Sequence, residues 1–109
     1  MDIGSTFSGG RLTVYLSGEL DQHEARTTSE SIDELIDEYL PRDLVLELSG
    51  LSFMDSSGIA VIARACERMR ALRGRTSLEN PGGQVLRVID AAGIERLVPV
   101  NGGKVGEAK

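Results

Sequence analysis

The sequence predicts an α/β fold, foreshadowed by three stretches of the 109-residue chain. Leu12, Val14 and Leu16 alternate with Thr13, Tyr15 and Ser17, the period of a half-buried strand. Glu24 to Leu40 has helical spacing, with Ile32, Leu35, Ile36 and Tyr39 on one face and Glu30, Asp33, Glu34, Asp37 and Glu38 on the other. Leu44-Val45-Leu46-Glu47-Leu48 has little polar alternation, which suits a strand covered on both faces of a sheet. Together they imply a small mixed, mostly parallel β-sheet with an N-terminal hairpin and helices packed on it.

Each element has its own signal. Phe7 belongs to a short first strand, and Gly9-Gly10 forms a tight turn into the second. Gly18-Glu19-Leu20-Asp21 then leaves the sheet, and Pro41 ends the acidic helix because it cannot extend the hydrogen-bond ladder. A second helical pattern starts at Ile59 and places Ile59, Ile62, Ala63, Cys66 and Met69 inward, with Gly74 as C-terminal cap. At about 100° per residue, Ser57, Val61, Arg64 and Arg68 fall on its outward face. Thr76 to Glu79 reads as a short strand. Asn80-Pro81 reads as the cap and first position of a third helix carrying Val85, Leu86, Val88 and Ile89 and stopped by Gly93. Leu97-Val98-Pro99-Val100 is a last strand, at an edge because Pro99 lacks an N–H. Strands that alternate with helices need crossovers and so run parallel. Residues 1–100 form one domain, and the polar, Gly-rich residues 101–109 a flexible tail.

Composition removes several functions. A net charge of −5 opposes sequence-independent binding of nucleic acid or of an anionic membrane, which both need cationic surface. No apolar run approaches the roughly 20 residues of a membrane span, and the start, Met1-Asp2-Ile3-Gly4-Ser5, lacks a signal-peptide pattern. With one cysteine, Cys66, and one histidine, His23, neither a disulfide nor a Cys/His metal cluster can be assembled. Gly82-Gly83 lacks the lysine and hydroxyl of a phosphate-binding P-loop. No cofactor or metal is expected, and the expected location is cytoplasmic.

The informative segment is Asp55-Ser56-Ser57-Gly58, where the apolar strand hands over to the second helix. A helix start has unpaired N–H groups and a positive dipole end, so it favours anions and offers donors to a phosphate on Ser56. On that ground alone Ser56 and Ser57 read as N-cap residues, the commonest use of serine at such a place. The whole of Leu51-Ser52-Phe53-Met54-Asp55-Ser56-Ser57-Gly58-Ile59, however, resembles the phosphorylation segment of the STAS domain of bacterial anti-sigma factor antagonists. Gly18-Glu19-Leu20-Asp21 and Asp90-Ala91-Ala92-Gly93-Ile94 resemble two further motifs of that family, and the likeness runs over roughly residues 5–100. Two departures are visible. The family often carries a further helix after its last strand, for which Asn101 to Lys109 is too short, and Val88-Ile89-Asp90 stands where a Phe often precedes the Asp.

The resemblance implies a partner-switching cycle. The unphosphorylated antagonist binds an anti-sigma factor that is also a serine kinase and frees the sigma factor. The kinase phosphorylates the first serine after the aspartate, here Ser56; binding is then lost, and a serine phosphatase restores it. By the same resemblance the partner-binding surface contains Gly18, Glu19, Asp21, Asp55, Ser57 and Gly58, with His23 near it. Val61 joins them as an apolar residue on the outward helix face beside Ser57. A different reading is an unphosphorylated STAS scaffold or accessory subunit of a transport or signalling complex, in which the serines only cap the helix. A receiver domain is excluded, because the acidic pair and strand-end lysine it needs are missing and the only lysines are Lys104 and Lys109. A hydrolase is disfavoured too: His23 is the sole histidine, and neither serine sits in a nucleophile elbow.

Overall fold

The computed structural model describes residues 1–103. Strands β1 (Asp2–Ser8), β2 (Arg11–Leu20), β3 (Asp43–Met54), β4 (Arg75–Glu79) and β5 (Val100–Asn101) form one five-stranded sheet in chain order. β1 is antiparallel to β2, and every later pair is parallel. Helices α1 (Ala25–Tyr39), α2 (Ser56–Ala71) and α3 (Gly83–Ala92) make the three crossovers, and a 3₁₀ turn over Ile94–Arg96 precedes β5. Because the strand order never reverses, right-handed crossovers put all three helices on the same face of the sheet.

That one-sided architecture corrects the expectation for the Leu44–Leu48 strand. Leu44, Leu46 and Leu48 point into the core; Leu12 and Val14 of β2 lie in register beside Leu44 and Leu46, and Leu16 is buried at the register shift that follows. Val45, Glu47 and Ser49 face the uncovered side, where Val45 is buried outside the core cluster, Glu47 half-buried and Ser49 exposed. Four apolar residues in five positions therefore mark a central strand, and the second cover is missing. The core closes against Ile32 and Ile36 of α1, Val61, Ile62, Ala65 and Met69 of α2, and Val85 and Ile89 of α3. Ile89 is fully buried, so aliphatic packing occupies the place where the family often uses a Phe just before the Asp.

The hairpin forms as expected. Gly9 and Gly10 have φ of +59° and +83°, the pair of left-handed residues that a two-residue turn between twisted strands requires. Phe7 stacks on Tyr39, ring centroids 4.7 Å apart, and so ties β1 to α1. Leu40 caps α1 with φ +45° just before Pro41. Four boundaries differ from expectation. Gly18–Leu20 stays in the sheet, because register shifts after Tyr15 and Gly18 let β2 follow β3 to its end. Arg73, not Gly74, takes the left-handed position after α2 (φ +61°), and a Cβ on Gly74 would stand 2.8 Å from the Arg42 carbonyl. Asn80 is itself left-handed (φ +54°) and its side chain bonds Glu47, so Gly82 becomes the α3 N-cap. The last strand shrinks to Val100–Asn101; Leu97 and Val98 follow the 3₁₀ turn, and Pro99 accepts the Leu78 N–H through its carbonyl.

α1 and α2 run side by side, joined by ions. Arg64 Nε lies 2.9 Å from Asp33, Arg68 lies 3.0 Å from the same carboxylate, and Arg68 also bonds Asp37. Exposed pairs of this kind contribute only about 0.2–1 kcal/mol each, but they orient the helices. Cys66 is buried in the α2 face of the core, and that burial pushes its thiol up, against a smaller opposing effect of a hydrogen bond with Thr76. No helix among the described residues is long and apolar enough to cross a membrane. Of the expected tail, residues 104–109 lie outside the described residues, while Asn101 belongs to β5.

Candidate functional site

The parallel pairing of β2 and β3 brings two distant motifs to one end of the sheet. Gly18 is in register with Leu51, Glu19 with Phe53 and Leu20 with Met54. The Ser52 hydroxyl donates to the Gly18 carbonyl at 3.2 Å, and the Asp55 N–H donates to the Leu20 carbonyl at 3.3 Å. The carboxyl ends of parallel strands are the usual place for a site in an α/β sheet. Gly18–Asp21 and Asp55–Ser57 thus meet along one rim at this end of the sheet.

The helix start is built around Asp55. Its backbone is extended, and its Oδ1 accepts the Ser57 N–H at 2.8 Å, while its carbonyl accepts the Gly58 N–H at 2.9 Å. Asp55 is therefore the N-cap, and the expected capping role of Ser56 and Ser57 is corrected. A carboxylate is already seated at the positive end of α2, which makes the site less receptive to a second anion than the bare helix start suggests. Ser56, the first helical residue, is exposed, and Ser57 is half-buried.

Asp21 organises the other rim in the same manner. Its Oδ1 accepts the N–H of His23 at 2.9 Å and of Glu24 at 3.2 Å, and its carbonyl accepts from Ala25 at 2.9 Å. Glu19 and His23 are exposed on the rim, with His23 Nδ1 3.8 Å from Asp21 Oδ1; His23 lies in the turn before α1 and not in the helix.

Two expected site residues are elsewhere. Val61 is 3% exposed and packs in the core, so the proposed outward face of α2 is corrected: the stripe Gly58, Val61, Ile62, Ala65 and Met69 points inward. The stripe begins at Gly58, which the apolar count from Ile59 overlooked, and this rotates the buried face toward α1. Gly58 is itself buried, and a Cβ there would stand 2.3 Å from Met54 Cγ and 2.7 Å from its sulfur. It supports the rim from beneath and presents no surface.

Two residues were missed. Phe53, 38% exposed, lies in register with Glu19 and adds an aromatic side chain to the rim. Its signal was an apolar residue next to buried Met54 and therefore out of phase with it. Gln84 of α3 bonds the Met54 backbone twice, and nothing in its local sequence announces that.

Behind the rim, Glu47 accepts the Ser49 N–H and the Asn80 side-chain amide, both at 2.8 Å. Partial burial pushes the Glu47 carboxyl up, but the bonds from Ser49 and Asn80 outweigh it and hold the carboxyl below its usual value. A depressed folded-state value means that stabilisation is complete above the ordinary carboxylate range and is lost as pH falls through the folded-state value. We expect Glu47→Gln to flatten the acid limb of a stability-against-pH curve there. An unchanged slope would show that these bonds contribute nothing to acid unfolding.

Fold and site together define a one-sided α/β domain with an exposed serine at the first turn of a helix, flanked by carboxylates. No group of acidic, His and Cys side chains among the described residues could hold a metal ion. The chain belongs to the STAS domain family, whose model matches residues 3–106. It is similar to the anti-sigma F factor antagonist of Paenibacillus polymyxa, 34% identical over 91 residues that cover 84% of this chain and 78% of the relative. The anti-sigma-B factor antagonist of Bacillus subtilis (strain 168) is 26% identical over 90 residues, 83% and 81% of the two chains. Among solved structures, the anti-sigma factor antagonist SpoIIAA in its unphosphorylated form matches with a TM-score of 0.78 at 26% identity, covering 91% of this chain and 87% of the other. The phosphorylated form of the Bacillus cell fate determinant SpoIIAA matches with a TM-score of 0.70 at 25% identity, covering 91% and 90%.

Proposed function

We propose that this chain is an anti-sigma factor antagonist, a cytoplasmic binding switch without catalytic activity of its own. Its unphosphorylated form binds an anti-sigma factor serine kinase and frees the sigma factor; phosphorylation of Ser56 ends binding, and a serine phosphatase restores it. The observation that carries this reading is the position of Ser56: an exposed hydroxyl at the head of α2, on the rim shared by Gly18–Asp21 and Asp55–Ser57. Relatives named as antagonists, and a neighbour solved in both unphosphorylated and phosphorylated forms, support it.

The chemistry needs nothing from this chain except the acceptor. Ser56 Oγ attacks the terminal phosphorus of ATP held by the kinase; the new O–P bond forms as the bond to ADP breaks, and the hydroxyl proton passes to a base of the kinase. The product carries about −1.5 to −2 charges. Because Asp55 already holds the Ser57 N–H, the new charge faces outward beside a carboxylate, and the partner meets it. Glu19, Asp21, His23, Phe53, Asp55 and Ser57 are the rim residues that a partner would touch.

A competition assay tests the reading. Unmodified protein added to a preformed complex of sigma factor and anti-sigma factor should release the sigma factor, and protein phosphorylated on Ser56 should not. Failure of the unmodified protein to release any sigma factor, with the anti-sigma factor shown to be active, rejects it.

A further inference from the structure

We infer that Gln84 is the positioning residue for the Met54–Ser57 corner, so that the start of α3 keeps the partner-binding rim in its binding-ready shape. The pairing of β3 with β4 ends at Glu47 and Glu79, so the last seven residues of β3 have a strand neighbour only on the β2 side. At the end of that stretch Asp55 N–H turns toward Leu20 of β2, and Met54 N–H and C=O turn the opposite way, where no strand runs. Gln84 fills the place of a strand residue: its Oε1 accepts the Met54 N–H at 3.0 Å and its Nε2 donates to the Met54 carbonyl at 2.9 Å. A primary amide presents its acceptor oxygen and one of its N–H donors side by side, as the C=O and N–H of a single strand residue do.

The same connection grips β3 at both ends of its unpaired stretch. Asn80, in the link between β4 and α3, bonds Glu47 at one end, and Gln84 holds Met54 at the other. The register shifts that bend β2 against β3 fall between these two grips. Met54 directly precedes the Asp55 cap and also carries the side chain on which Gly58 rests. Loss of the Gln84 bonds leaves two part-buried backbone groups unpaired, which favours alternative arrangements of the corner. A partner that binds only one arrangement then binds more weakly by the fraction of molecules that adopt it, while the docked complex reacts as before.

The kinetic part of this inference rests on the switch reading above; the structural part does not. In Gln84→Leu we expect the Met54 amide to exchange with solvent at least tenfold faster while the Leu46 amide keeps its wild-type rate. With the kinase, KM for the protein should rise about tenfold, equivalent to about 1.4 kcal/mol, at unchanged kcat. Gln84→Glu retains the acceptor, sets a carboxylate against the Met54 carbonyl, and should act in the same direction; it replaces the leucine variant if that fails to fold. Unaltered Met54 exchange, acceleration of Leu46 in step with Met54, or an unaltered KM with an active kinase would each overturn the inference. If the wild-type protein accepts no phosphate, the switch reading fails and the contrast between Met54 and Leu46 exchange alone decides the role of Gln84.

Discussion

Replacing Gly58 by valine is expected to lower the melting temperature by about 10 °C. The first turn of α2 lies so close to the end of β3 that an added Cβ would stand 2.3 Å from Met54 Cγ, 2.7 Å from its sulfur and 3.2 Å from Leu20 Cδ2. Met54 and Leu20 are themselves fully buried, so neither can swing into solvent to make room. Overpacking of this kind costs about 1–3 kcal/mol, and each kcal/mol shifts the midpoint of a domain of this size by about 4–8 °C. Valine is a sharper probe than alanine, because alanine regains up to about 1 kcal/mol in helix propensity. Since Met54 and Leu20 end the two strands that form the rim, the same substitution should also weaken partner binding. A melting temperature equal to or above that of wild type would mean that the close approach is not what seats α2.

Ser56→Asp should weaken binding to the anti-sigma factor kinase about a hundredfold, a change of about 3 kcal/mol. Aspartate adds one negative charge where phosphate adds nearly two, so the modified protein should bind more weakly still. The new carboxylate stands next to Asp55, whose Oδ1 is already engaged by the Ser57 N–H, so the α2 start has little left with which to neutralise it. Its cost falls on the interface, where water is excluded and like charge is poorly screened. Ser56→Ala removes the acceptor without adding charge and should bind within about threefold of wild type, roughly 0.7 kcal/mol. Calorimetric titration of the three proteins reads the contrast directly. Equal affinities for the aspartate and alanine variants would defeat an electrostatic switch, whatever the kinase does to Ser56.

Much of this fold was legible because period and punctuation agree. Gly9-Gly10, the acidic stripe of α1, Pro41 and Gly93 each have one dominant local cause, and each stands where expected. What the sequence hid was set by partners far away in the chain. Asn80 looks like a helix cap, but Glu47 claims its side chain across 33 positions. Val61 looks outward when the helix is counted from Ile59, yet Gly58 starts the buried stripe and α1 covers it. The two-sided cover expected for Leu44–Leu48 fails for a similar reason: an apolar run records a central strand and says nothing about which crossovers share a face.

The site divides in the same way. That Gly18–Asp21 and Asp55–Ser57 meet was implied by family resemblance, and strand register supplies the physical reason. Asp55 as the cap was hidden by two serines that are equally good caps in isolation; extended backbone at Asp55 decides among them. Phe53 and Gln84 belong to the site only through tertiary placement, one by facing out of a strand and the other by reaching Met54 from thirty residues downstream.

The central claim concerns one hydroxyl. It is tested most directly by incubating the protein with its anti-sigma factor kinase and ATP and locating the phosphate by mass spectrometry of the digested product. One phosphate, on Ser56, absent from Ser56→Ala, is the expected result. A kinase demonstrably active on this protein that modifies Ser57 or another residue and leaves Ser56 untouched would contradict it.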